Sequence, residues 1–232
     1  MPNILHERAD RIAREIRADY PQEGRCLDEI AERHGFFTAI LPEFLCAFDA
    51  LIQGFRNGRA LFLCGNGGSF ADCVHIAGEL MKTFKLARPL SDAEKRAFAA
   101  LPHGDALATH LQRGLPCVVL GLNPSLSSAI QNDSAIPALQ YAQELYCLGK
   151  PGDMLLAIST SGNAQNVLYA VSTAKALRMP VIGLSGRGGG TLAEVADIAL
   201  RVPETETYRI QEQHVIVYHL LCLLLELRFF LA

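Results

Sequence analysis

The sequence predicts an α/β fold: a five-stranded parallel sheet covered by helices on both faces, a three-layer sandwich, with a helical extension ahead of it. Three observations predict it. From residue 60 onward, short apolar runs alternate with segments of helical periodicity, the texture of a parallel sheet buried on both sides. Several of those runs end in glycine- or serine-rich loops that open straight into helices, which is where such sheets bind ligands. Residues 1–55 show helical spacing and no strand-like run.

The bulk properties fit this reading. A chain of 232 residues suits one such domain with an extension, and half of the residues are apolar. A formal charge of -3 gives neither a nucleic-acid footprint nor a basic membrane patch. The seven cysteines are odd in number and form no CxxC pair, so a reducing cytoplasm is expected rather than a disulfide framework or a zinc finger. The charged N-terminus (MPNILHERADRIAREIRADY) is no signal peptide. The C-terminal LLCLLLELRFFLA is interrupted by Glu226 and Arg228 and is shorter than the roughly 20 residues of a membrane span. It reads as a buried helix.

In chain order, Ile4, Ala9, Ile12 and Ile16 mark a first helix, Pro21 and Gly24 a break, and residues 37–55 a second apolar-periodic helix. Residues 1–55 form an oligomerisation extension on this reading, and residues 56–232 the α/β domain. Strands are expected at 60–64, 116–122, 153–158, 180–185 and 197–202. Helices are expected at 69–84, 134–148, 163–178, 191–196 and 209–231. The stretch 85–115 is long for a crossover and is read as an insertion, with short helices at 91–101 and 104–113. Lid, interface element and surface decoration all remain open for it.

Three strand ends draw the eye. The first is Gly65-Asn66-Gly67-Gly68 followed by Ser69. Its glycines let backbone approach a ligand, and Ser69 is expected as N-cap with Asp72 in a capping-box arrangement. The helix start then favours an anion. It is neither GxGxxG nor a P-loop. The second is Ser159-Thr160-Ser161-Gly162-Asn163, whose hydroxyls exceed what capping needs and suit a phosphate held by neutral donors. The third, residues 185–192, reads as a flexible turn.

The helix after the first loop carries the reactive groups. On a helical wheel Phe70, Val74, Ala77, Met81 and Phe84 form the expected core stripe. His75 and Glu79 share a different face, as i and i+4 must. They are either a solvated pair or a general base, or a pair of metal ligands, beside the anion. In the last helix Gln211, His214 and His219 are polar groups in apolar surroundings, and His219 is either a satisfied core residue or a functional one. Gln211 and His219 lie about 12 Å apart along a helix axis, which favours a site at a subunit boundary.

Together GNGGSFADCVHIAGEL, Asn132-Asp133, AISTSGNAQNV and RIQEQHVIVYH resemble the phosphoheptose isomerases, of the sugar isomerase (SIS) domain class. The likeness spans most of residues 37–228. It implies a Rossmann-like five-stranded parallel sheet, a helical N-terminal extension and a homotetramer with shared active sites. By position it assigns substrate contacts to Asn66, Gly67, Gly68, Ser69, Asn132, Asp133, Ser159, Thr160, Ser161 and Gln211. It assigns catalysis to Glu79 as base and His219 as acid, and a metal site, zinc in some members, to His75, Glu79, Gln211 and His219. The implied reaction interconverts sedoheptulose 7-phosphate and a glycero-manno-heptose 7-phosphate through an enediol. That chemistry needs a carboxylate beside the carbon and an acid for ring opening. A metal would polarise the carbonyl, and a Glu79 that binds it tightly is less free as a base.

The chain departs from this pattern at Ala164, where relatives often carry a serine, and at Tyr208, where an acidic residue usually precedes RIQ. The arginine that commonly follows the helix glutamate is missing, with Lys82 and Lys85 nearby. The alternatives are a non-catalytic scaffold of the same fold, against which stand Glu79 and His219, and an isomerase of another sugar phosphate. A sugar-sensing regulator would carry a DNA-binding module, and no basic helix-turn-helix segment is apparent.

Overall fold

The computed structural model describes residues 2–231. Helices α1 (Pro2–Asp19), α2 (Pro21–Arg33) and α3 (Leu41–Arg56) precede the sheet, with a 3₁₀ turn at Gly35–Ile40 between the last two. The alternating part then runs β1 (Leu61–Cys64), α4 (Gly68–Met81), α5 (Asp92–Arg96), α6 (Gly104–His110), β2 (Cys117–Val119), α7 (Pro124–Asp133), α8 (Gln140–Leu148) and β3 (Met154–Ile158). It continues through α9 (Gln165–Ala176), β4 (Val181–Ser185), α10 (Gly190–Val195) and β5 (Ile198–Arg201) to the long α11 (Thr207–Phe230).

The five strands are parallel in the order β2-β1-β3-β4-β5. Leu61 of β1 is in register with Cys117 on one side and Met154 on the other. Strands β1, β3 and β4 are buried along their whole length, as their unbroken apolar runs require. One face packs α8 and α9, through Tyr141, Leu145, Val167 and Val171. The other packs α4 and α11, and the same apolar cluster takes in Ile12 and Ile16 of α1 and Phe44, Phe48 and Leu51 of α3. The N-terminal helices therefore share the core of the sheet's second face.

Local departures from the sequence reading have physical causes. Pro21 does not break the chain after α1 for long: it occupies the first turn of α2, where its missing N–H costs nothing. Gly24 is buried inside that helix. The helix expected over 134–148 starts only at Gln140, and a helix that was not expected, α7, precedes it, because Asn123 accepts from Leu126 N–H at 3.0 Å and Pro124 occupies the first turn. Helix α4 buries Ser69, Asp72, Cys73, Ile76, Ala77 and Leu80, so the predicted stripe is wrong: Val74 and Met81 are 42% and 56% exposed. The helix is pinched between sheet and α11, and two contacts, not one, decide its buried face. Gly35–Arg56 and Thr207–Phe230 are long and apolar enough to cross a membrane by length and composition, but both contribute buried core residues.

Residues 85–115 contain the short helices α5 and α6, and Pro89 pairs with Gln112 to close the base of the segment. Ser91 and Glu94 form a full capping box at α5.

Candidate active site

The chain leaves β1 for β2 on one side and returns to β3 on the other. The loops after β1 and β3 therefore face each other across the switch point, where open α/β sheets bind ligands. There they enclose a cavity of ≈ 380 Å³ lined by Asn66–Ser69, Ser159–Ser161, Ala164 and Gln211 of α11. No lysine or arginine lines it. Two helix starts border it instead, α4 and α9, and neither has a side-chain cap: Gly67 caps α4 and Ala164 caps α9. Ser69 N–H donates to the Asn66 carbonyl, Phe70 N–H to that of Gly67 and Val167 N–H to Asn166 Oδ1, so the N–H groups left to face an anion are those of Gly68, Gln165 and Asn166. The capping box expected from Ser69 and Asp72 does not form, because the helix begins at Gly68 and buries both side chains.

The loops are held from within. Ser159 Oγ accepts from Gly162 N–H and Ser161 Oγ from Asn163 N–H, each at 3.2 Å. Gly162 has φ +69, and a Cβ there would lie 1.8 Å from the Gly189 carbonyl oxygen, so the second loop depends on contact with the third. Thr191 N–H donates to Asn163 Oδ1 at 3.0 Å in the same contact. At Gly68, a Cβ would meet Gln211 Nε2 at 2.3 Å, which is how Gln211 reaches the cavity. Asn66 pairs its amide reciprocally with Asn166 at 2.8 Å both ways, and the Tyr141 hydroxyl donates to the Gly65 carbonyl. Asn166 and Tyr141 were not singled out in the sequence. Their only signal there is a polar group on the buried face of each helix.

Through Asn66 and Gly67 this cavity adjoins a second, of ≈ 590 Å³, lined also by Gly121, Ser127, Gln131 and Tyr141. Asn132 and Asp133 line neither: they stand exposed at the end of α7, the Asn132 amide donating to Asp133 at 2.7 Å.

Further along α4 and α11 lies a cluster of ionisable groups. His75 Nε2 is 3.3 Å from Glu79 Oε1 and 3.5 Å from His219 Nε2. His75 Nδ1 is 3.1 Å from the Tyr218 hydroxyl, whose pKa burial and the neighbouring Asp72 charge push up. Lys82 Nζ lies 3.7 Å from Glu79 Oε2, and Phe84 stacks on the His219 ring at 5.9 Å. Burial lowers the His219 pKa, neighbouring His75 lowers it further, and Glu79 opposes them. Burial raises Asp72, against the Tyr218 hydrogen bond and the His75 charge.

The end of α4 is fixed by a fully buried ion pair. Arg88 Nε meets Glu226 Oε1 at 2.8 Å, and the guanidinium donates to the carbonyls of Leu80 at 2.9 Å and Glu79 at 3.2 Å. Glu226 also accepts from the N–H groups of Phe84, Lys85 and Leu86. The sequence reading missed this pair. Its signal was a lone carboxylate in an apolar helix, which needs a buried partner.

The expected metal set is only partly assembled. The two distances at His75 Nε2 match the roughly 3.4 Å between ligands that each sit about 2.1 Å from a tetrahedral zinc. Gln211, however, lies at the anion cavity, two turns of α11 from His219. Among the described residues no group of three or more His, Cys, Asp or Glu side chains is arranged to hold an ion. One chain does not fit the four-ligand set.

A parallel sheet with an uncharged anion cavity at its switch point, and an acid–base cluster on the same two helices, defines a sugar-phosphate isomerase of the SIS class. Residues 116–186 match the SIS domain family model. The phosphoheptose isomerase of Rhodospirillum rubrum is 39% identical over 203 residues, covering 88% of this chain and 87% of that one. That of Geotalea daltonii is 36% identical over 189 residues, covering 82% and 85%. The solved phosphoheptose isomerase of Neisseria gonorrhoeae superposes with a TM-score of 0.65 at 29% identity, over 92% of this chain and 97% of that one. That of Francisella tularensis gives 0.66 at 28%, over 90% and 94%. The chain belongs to the phosphoheptose isomerase family, and it is an isomerase acting on a phosphorylated sugar.

Proposed function

We propose that the protein interconverts sedoheptulose 7-phosphate and D-glycero-D-manno-heptose 7-phosphate in the cytoplasm. The observation that carries this reading is the pairing, on α4 and α11, of an uncharged anion cavity with the His75–Glu79–His219 cluster. The cavity takes the phosphate on the open N–H groups of α4 and α9. Glu79, as carboxylate, removes the proton from the carbon next to the carbonyl; the C–H electron pair forms the enediol, and the proton returns to the neighbouring carbon. His219 serves the sugar oxygens as acid. Asn66–Ser69, Ser159–Ser161 and Gln211 are the proposed substrate contacts, with Asn132 and Asp133 joining from a mobile or neighbouring segment.

The proposal includes a homotetramer with shared sites. Glu79 lies eleven residues past the start of α4, about 16 Å of helix rise from the same chain's anion cavity. Exposed Val74 and Met81 flank the cluster and offer apolar surface to a second subunit. Zinc belongs to the same proposal as a ligand of His75, Glu79 and His219, completed in the oligomer; when bound it would polarise the sugar carbonyl. No proton step above depends on it. Activity that falls on chelation and returns with zinc supports that role, and full activity in metal-free protein removes it.

Incubation in deuterated water with five-, six- and seven-carbon ketose phosphates tests the function. Solvent deuterium should enter C1 or C2 of sedoheptulose 7-phosphate fastest. Exchange confined to a shorter sugar would overturn the substrate, and no exchange with any of them would favour the non-catalytic scaffold.

A further inference from the structure

Asn66 is exposed where the two cavities adjoin, yet its amide is held by two buried side chains, Asn166 and Tyr141. Asn166 Nδ2 donates to Asn66 Oδ1 at 2.8 Å, and Asn66 Nδ2 donates back to Asn166 Oδ1 at 2.8 Å. The backbone fixes the sense of this exchange. Val167 N–H can only donate, and it meets Asn166 Oδ1 at 3.0 Å. That bond identifies the oxygen of Asn166, so its nitrogen is the group facing Asn66 Oδ1, and Asn66 must offer its own nitrogen in return. The Tyr141 hydroxyl, which donates to the Gly65 carbonyl and lies 3.3 Å from Asn66 Oδ1, agrees with that sense. The oxygen of Asn66 is thus occupied within the protein. One of its two N–H groups is occupied as well, and the other has no protein acceptor among the described residues. The pair also ties two helix starts together. Asn66 precedes α4, and its carbonyl accepts from Ser69 N–H; Asn166 stands in the first turn of α9. These are the helices whose remaining N–H groups border the anion cavity.

Resting on the reading of that cavity as the phosphate site, we propose that Asn166 is a positioning residue for substrate binding. It sets the Asn66 amide as a donor toward a phosphate oxygen, and it clasps the starts of α4 and α9 at a fixed spacing around the anion. An Asn66 amide turned the other way would set its carbonyl oxygen against the anion and lose the bond. The clasp is closed within the protein itself, so binding does not have to order the loop side chain first. In a site with no lysine or arginine, that preorganisation stands where a cation would otherwise hold the phosphate.

The test is Asn166→Ala in the full-length protein, with Asn166→Ser as a second variant should the first not fold. Calorimetric titration with inorganic phosphate and steady-state kinetics with sedoheptulose 7-phosphate read it. The phosphate Kd and the KM should each rise about 10-fold at unchanged kcat, the loss expected when a hydrogen bond to a charged group is misaligned. A merely structural role would instead lower kcat through the active fraction and leave the phosphate Kd at the parent value, which overturns the proposal. Because Asn166 acts through Asn66, the double variant Asn66→Ala/Asn166→Ala should bind phosphate as Asn66→Ala alone does. Losses that add overturn that link. A parent that binds no phosphate removes the anion cavity and this proposal with it. A parent that binds phosphate and an Asn166→Ala variant that binds it equally well removes this proposal alone, so the two failures are distinguishable.

Discussion

The two ends of α4 handle charge in opposite ways. At its start, the cavity for an anion contains no cation, only backbone N–H groups, hydroxyls and the amides of Asn66 and Gln211. Toward its end, carboxylates, imidazoles and a guanidinium crowd together: His75, Glu79, His219, Lys82 and the Arg88–Glu226 pair. A permanent charge can be gripped by fixed dipoles, and these bring no side chain that could titrate. A proton in flight needs groups that change protonation, and those groups need partners to hold their geometry in a partly dry site. The difference separates binding from chemistry along one helix.

Substitutions at each end should separate in kinetics. The largest effect is expected from Glu79→Gln, which should lower kcat by about 10³-fold with KM little changed; deuterium exchange into substrate reads it directly, and exchange at the parent rate would remove the base from this end. Next, Arg88→Met strands Glu226 as a buried unpaired charge and should cost about 3–5 kcal/mol in urea unfolding. The double variant Arg88→Met/Glu226→Leu should recover part of that stability, but not the parent kcat, because nothing then holds the Glu79 and Leu80 carbonyls.

Next in size comes His214, fully buried on α11 beside the Ser185 backbone. Burial holds its pKa down to about 4, from 6.5. The folded state therefore keeps it neutral. Its contribution is fully present above pH 6.5 and is lost as pH falls from there toward 4, by about 3 kcal/mol. Urea midpoints at pH 7 and pH 4.5 should converge in a His214→Leu variant relative to the parent; an acid limb of unchanged slope would show that another group carries it. The smallest effect belongs to the grip. Ser159→Ala or Ser161→Ala should each raise KM about fivefold, roughly 1 kcal/mol, at unchanged kcat. A fall in kcat instead would blur the division between the ends.

Much of this was legible before any coordinates. The strands were found within a few residues because each is a short apolar run bounded by glycine, proline or a charge, and burial on both faces leaves no other composition for them. The two anion loops were visible as clusters of small and hydroxyl residues at strand ends. His75 and Glu79 were visible as an i, i+4 pair. The buried face of α4 was not, since periodicity assumes one packing partner and this helix has two. Tyr218, Arg88 and the role of Glu226 were passed over because each is ordinary in its own segment, and only its partner, 138 to 143 residues away in the chain, gives it meaning.

By itself the sequence determined the alternation of strand and helix, the loops fit for an anion and the chemical types at hand, because local periodicity and turn chemistry act over a few residues. Tertiary structure alone decided that Gln211 stays with the anion cavity while His219 joins His75. It also decided that an apparent insertion supplies the arginine that ends the catalytic helix. Those outcomes depend on how α4 and α11 cross, and a crossing is set by side-chain packing over the whole core, which no short stretch of chain encodes.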